Sequence, residues 1–103
     1  MKLLILRFSS IGDIILTTPV IRALKTQIED AEIHFATKEQ YAKLLEDNPY
    51  IDRIHQLKNK ESDLITELKA EKFDLIIDLH HNLRTWLIQK RLGVKAYKYD
   101  KLN

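Results

Sequence analysis

Short, nearly solid apolar runs alternate along this chain with longer stretches in which apolar residues recur every three or four positions. A solid run suits a parallel strand covered on both faces, whereas the wider spacing suits an amphipathic helix. Lys2 to Phe8 is the first run. Polar Ser9, Ser10, Gly12 and Asp13 follow it, and from Ile14 the spacing is helical. Ile14, Ile15, Leu16, Val20, Ile21, Ala23 and Leu24 form a broad apolar face there, with Arg22 and Lys25 near its end.

Ala31 to Thr37 reads as a second strand, with Ile33 and Phe35 on one face and Glu32 and His34 on the other. Lys38 to Asp47 reads as a helix with Tyr41, Ala42, Leu44 and Leu45 as its apolar positions, stopped by Asn48-Pro49. Ile51 to Leu57 forms a short third strand, and Lys60 to Lys72 returns to helical spacing through Leu64, Ile65 and Leu68. Phe73 to Leu79 is a second strongly apolar strand. Polar His80, His81 and Asn82 separate it from a helix over Leu83 to Leu92, in which Trp86 and Leu87 read as core. Gly93 suits the left-handed position that closes a helix, and Val94 to Tyr99 reads as a fifth strand.

This alternation predicts right-handed βαβ units and an α/β, Rossmann-like fold: a mainly parallel sheet with helices on both faces. No repeat, low-complexity tract or flexible linker divides the chain, so residues 1–103 read as a single domain. A strand directly before Asn103 would lack a covering helix. That suggests a truncated domain with an open sheet edge, which invites self-association.

Composition narrows the classes. Of the 103 residues, 45% are hydrophobic and 31% charged, a soluble globular balance. The 17 basic and 15 acidic residues are spread without blocks of one sign, which argues against nucleic acid as a partner. There is no cysteine, hence no disulfide framework or thiol chemistry, in keeping with a cytoplasmic protein. Arg7, Ser9 and Asp13 interrupt the first apolar run in a way unlike a signal peptide, and no run approaches the ~20 apolar residues of a membrane span. With Gly12 and Gly93 the only glycines, G-x-G-x-x-G cannot occur.

Candidate chemistry gathers after the two most apolar strands, because ligands bind open α/β sheets at the carboxyl ends of strands. Asp13 is an acid at a helix mouth, and Ser10-x-x-Asp13 has the spacing of a capping box. Ser9, Ser10 and Gly12 can shape an anion- or sugar-binding loop through exposed N–H groups and hydroxyls, or form an ordinary turn. Asn82 and Arg84 should share that edge, Arg84 offering a planar fork to a carboxylate or phosphate, or simply pointing to solvent. His80 and His81 point to opposite faces of an extended segment, and His34 and His55 read as isolated. No metal set is expected.

Residues 4 to 19, Leu-Ile-Leu-Arg-Phe-Ser-Ser-Ile-Gly-Asp-Ile-Ile-Leu-Thr-Thr-Pro, carry a resemblance, as do Phe73-Asp74-Leu75-Ile76-Ile77-Asp78-Leu79 and Asn82-Leu83-Arg84-Thr85. In order and spacing they resemble the amino terminus of glycosyltransferase family 9, the ADP-heptose:lipopolysaccharide heptosyltransferases and relatives. The resemblance implies a two-lobed GT-B enzyme, of which this chain is the start of the acceptor-side lobe. It implies inverting transfer of heptose from ADP-heptose to a lipopolysaccharide core acceptor, with contact at the inner membrane. It implies no cofactor and no obligatory metal, and a nucleotide-sugar donor held mainly by the second lobe, so that these residues alone would be inactive.

Asp13 falls on the position proposed in that family as general base, where a carboxylate helps an acceptor hydroxyl to lose its proton. Arg84 would face an anionic inner core. His80-His81 depart from the pattern by standing where Gln-Gly is often seen, which puts close ligand approach at position 81 in question. A rival from another class is a non-catalytic, flavodoxin-like binding or signalling module with Asp13 and Asp78 as strand-end acids. The adjacent acidic pair that response regulators carry after their first strand is missing.

Overall fold

The first apolar run becomes the centre of the sheet. In a computed structural model, which describes residues 1–98, β1 (Lys2–Leu6) lies between β2 (Glu32–Lys38) and β4 (Leu75–Asp78), with β3 (Arg53–Leu57) and β5 (Ala96–Lys98) outside them. The expected end of the fifth strand at Tyr99, and the terminus at Asn103, lie outside the described residues. Every pairing is parallel, in the order β3-β2-β1-β4-β5. That is the Rossmann order; in the flavodoxin order the first strand lies between the second and third.

Helices cover both faces, as the alternation predicts. On one side Leu3, Ile5, Ile33 and Phe35 pack with Ile14 of α1 (Ile11–Ile15) and Ile21 of α2 (Thr18–Gln27). On the other side Leu4, Leu6, Ala36 and Ile76 pack with Leu64, Ile65 and Leu68 of α3 (Glu61–Glu71) and Ile88 of α4 (Leu83–Leu92). Leu3 to Leu6 are all fully buried, which is why the run is solid rather than alternating.

Three elements depart from the sequence pattern. The helix expected from Ile14 begins instead at Ile11, and it breaks before Thr18, leaving Ile15 and Leu16 exposed. Pro19 sits in the first turn of α2, where its missing N–H is tolerated; in a continuous helix it would have removed a hydrogen bond. The helix expected over Lys38 to Asp47 is a 3₁₀ segment, Glu39–Leu44. Its buried residue Ala42 and the buried Leu45 that caps it are three apart, the repeat of that tighter winding, and Leu44 faces solvent.

The third departure is α4. Trp86 and Leu87 are exposed, with Leu83 beside them, and Thr85 and Ile88 face inward. Polar anchors set that rotation: Gln89 Nε2 donates to the buried Asp78 Oδ2 at 2.7 Å, and Asn82 Oδ1 accepts from the Thr85 N–H at 3.0 Å. Gly93 closes the helix at φ 65°, as expected.

Leu68→Ala, a fully buried change under the sheet, is expected to lower unfolding stability by about 2–5 kcal/mol. Leu83→Ala, on the outer face of α4, should change it by less than about 0.5 kcal/mol. Chemical denaturation monitored by circular dichroism measures both, and equal losses would contradict the rotation of α4 described above.

Candidate functional site

β1 and β4 are neighbours, yet their chains leave toward opposite faces, one into α1 and α2, the other into α4. The loops at their carboxyl ends therefore flank a crevice, the usual ligand position in an open α/β sheet. Three contacts hold the loops together. Leu79 donates its N–H to Leu6 O at 3.1 Å, Arg7 Nη1 donates to Leu79 O at 2.6 Å, and the Phe8 N–H donates to His80 Nδ1 at 3.0 Å. His80 thus uses a ring nitrogen as an acceptor. Burial, and then the nearby Arg7 charge, lower its pKa and favour that neutral form.

Asp13 stands at the mouth of the crevice with its side chain 48% exposed. Its Oδ2 takes the Ser10 hydroxyl at 2.8 Å, the Ser10 N–H at 3.4 Å and Arg7 Nη2 at 2.8 Å. The Ser10 side-chain and backbone hydrogen bonds, followed by the Arg7 charge, hold the carboxyl below the ordinary aspartate range. All three contacts converge on one oxygen, leaving Oδ1 without a partner among the described residues. The Asp13 carboxylate reaches back to the Ser10 N–H as the acid of a capping box does, and that contact uses Oδ2. Gly12 has open space beside it: a Cβ there would meet no atom within 4 Å.

The second loop is turned by a residue that the sequence pattern hides within a strand. Asp78, 1% exposed, accepts the N–H groups of His80 and His81 on Oδ1 at 2.9 and 3.0 Å. His81 takes the left-handed conformation at φ 61° that a glycine would adopt more easily. Asn82 lies at the expected edge, but its side-chain carbonyl is committed to Thr85 as the cap of α4. Ser9 and Ser10 line the first loop, one half-buried and the other exposed.

Arg84 stacks over the Phe8 ring, its guanidinium carbon 5.7 Å from the centroid, and its Nε lies 3.5 Å from Glu61. It also lines a cleft of about 380 Å³ with Lys38, Glu39, Gln40, Leu57 and Lys58. Three cations face one acid there. Neither Lys38 nor Lys58 stands out in the sequence; the available signal is their position at the carboxyl ends of the second and third strands. Arg7, read there only as an interruption, is the clamp between the two loops.

His34 and His55 are not isolated: they are buried, 1% and 0% exposed, and His34 Nδ1 lies 2.8 Å from His55 Nε2. The parallel register sets Ala36 opposite His55, which brings His55 diagonally beside His34 on the same face. With Glu71 they form a group of donors able to hold a metal ion. No helix among the described residues is long and apolar enough to cross a membrane.

The chain is 27% identical to lipopolysaccharide heptosyltransferase 1 of Campylobacter coli, across 98% of its own length and 31% of the relative's. It is 37% identical to lipopolysaccharide heptosyltransferase 3 of Escherichia coli, across 82% of its own length and 28% of the relative's. The resemblance carried by residues 4–19 and 73–85 thus extends over most of the chain, which spans about a third of the length of these relatives. No protein-family model matches the chain. In fold it matches the glycosyl transferase family 9 structure from Veillonella parvula, with a TM-score of 0.85 at 23% identity over 99% of this chain and 36% of that one. It also matches the E. coli ADP-heptose lipopolysaccharide heptosyltransferase II, with a TM-score of 0.82 at 19% identity over 95% and 30%.

A lowered pKa keeps Asp13 ionised further into acid than a free aspartate, and its attraction to Arg7 is lost only as pH falls through that lowered value. Because Ser10 is the main cause, Ser10→Ala should move the Asp13 midpoint upward toward the ordinary 3.8. A carbon-13 NMR titration of the carboxyl reads this directly. An unchanged midpoint would assign the effect to the residue-10 backbone N–H and Arg7.

Proposed function

We propose that this relative of the heptosyltransferases forms the acceptor-side, base-bearing face of an inverting glycosyltransferase that moves heptose from ADP-heptose to a lipopolysaccharide core sugar. The observation that carries the reading is Asp13, a half-exposed carboxylate anchored through one oxygen at the crevice between β1 and β4. In the reaction Oδ1 takes the proton of an acceptor hydroxyl as that oxygen attacks the anomeric carbon. The bond from that carbon to the diphosphate oxygen breaks, and its electron pair leaves with the nucleotide. Attack opposite the leaving group inverts the centre.

A carboxyl held below the ordinary range is a weak base, so orientation must supply much of the acceleration. Arg7 and Ser10 provide orientation by fixing the other oxygen. Lys38, Lys58 and Arg84 line a cleft suited to the phosphates or carboxylates of an anionic acceptor. Ser9, Ser10 and Gly12 border the acceptor's approach. Lipopolysaccharide is anchored in a membrane, so the reading implies work at a membrane surface. The family resemblance assigns the donor nucleotide to a second lobe, and we place turnover in a protein that has both lobes.

The signalling-module rival is less well supported. Asp78 is buried and accepts three N–H donors, so it offers no free oxygen to a phosphodonor.

In the two-lobed enzyme, Asp13→Asn is expected to reduce transfer by at least about 10²-fold, with donor affinity and fold retained. Initial rates with purified acceptor, alongside nucleotide binding, measure this; undiminished turnover would leave Asp13 as a cap only. Gly12→Ala should leave stability within about 1 kcal/mol of the parent, since it sits in a helix with open space around it. It should raise the acceptor KM, and an unchanged KM would remove Gly12 from the acceptor's path.

A further inference from the structure

Beneath α3, on the sheet face away from α2, four side chains form a continuous line. Glu32 Oε2 lies 2.5 Å from His34 Nε2, His34 Nδ1 lies 2.8 Å from His55 Nε2, and His55 Nδ1 meets Glu67 Oε2. Two neutral imidazoles bring one N–H each, and two carboxylates bring none. The line has three contacts and two hydrogens. Whichever tautomers are chosen, one contact sets acceptor against acceptor. With the outer N–H groups given to Glu32 and Glu67, two nitrogen lone pairs face each other in the centre.

Charge leaves the same deficit. Glu32, Glu67 and Glu71 surround the pair, and among the described residues Lys2 and Arg53 oppose them: Lys2 Nζ lies 2.9 Å and Arg53 Nη1 3.0 Å from Glu71. Lys2 is also 4.0 Å from Glu32. Phe73 closes the line with its ring set edge-on to both imidazoles.

We propose that His34 Nδ1, His55 Nε2 and the Glu71 carboxylate form a site for a late first-row divalent metal ion, zinc in class. One donor atom from each of these three residues lies within 4.8 Å of the other two, and the two inner ring nitrogens are 2.8 Å apart. Two imidazoles and one carboxylate favour zinc over magnesium or calcium. Glu32 and Glu67 take the place that carboxylates hold behind metal-binding histidines, accepting the outer N–H and turning the inner nitrogen toward the ion. Zinc–nitrogen bonds of about 2.0–2.1 Å require the two rings to part slightly from their present contact. The ion ties β2, β3 and α3 together. Its role is structural, and the transfer proposed at Asp13 does not use it.

The test is to strip the full-length protein with a chelator, then titrate it with Co²⁺ and afterwards with Zn²⁺. One Co²⁺ per chain should bind with the intense visible bands of a four-coordinate site, and Zn²⁺ should abolish them. Glu67→Gln should weaken binding about 10–100-fold, and Glu71→Gln should weaken it further. Glu67 is half-exposed and both substitutions preserve shape, and circular dichroism verifies the fold of each variant. His81→Ala should bind as the parent does. Absence of the bands, or equal affinity in the parent and both glutamate variants, overturns the site. So does nitrogen-15 NMR showing a proton held between the rings in excess zinc, because the missing charge would then be the proton.

Discussion

A parallel strand covered on both faces commits every side chain to packing, and β1 meets that constraint from Leu3 to Leu6 without exception. Chemistry is thereby displaced to the point where the strand stops. Arg7, Ser10 and Asp13 follow within two turns of backbone, and Arg7 reaches across to Leu79 O so that the neighbouring strand's loop is fixed to the same edge. The site is the rim of a core whose central strand carries nothing polar from Leu3 to Leu6. Its position follows from the strand order as much as from any residue in it.

That constraint also decides how much the sequence reveals. Solid runs at Lys2 to Phe8 and Phe73 to Leu79 can hardly be anything but central strands, so the fold class and the edge carrying Asp13, Asn82 and Arg84 are legible from spacing alone. Apolar spacing on the helices is less informative. Leu83, Trp86 and Leu87 carry a proper helical stripe, yet Gln89 and Asn82 rotate α4 so that the stripe faces water. A hydrogen bond to a buried carboxylate outweighed the apolar pattern.

Pairs across strands are illegible for a different reason. His34 and His55 meet only because β2 and β3 align in one particular register, and nothing local at either residue encodes it. Lys38 and Lys58 are hidden in the same way, since they converge with Arg84 only after three elements are in place. Asp78 looks like the polar end of a strand and proves to be the anchor on which the second loop turns, allowing His81 to hold a conformation usually left to glycine.

The outward face of α4 has one more consequence. Trp86 is the chain's single tryptophan, about half in water, with Lys90 against its ring at 5.5 Å and Arg84 two positions away in sequence. Its fluorescence therefore comes from one known place, the water-facing side of α4 rather than the core. The molecule carries its own optical reporter, whose emission colour registers hydration on the outer face of α4 and stays largely blind to the packing of the sheet.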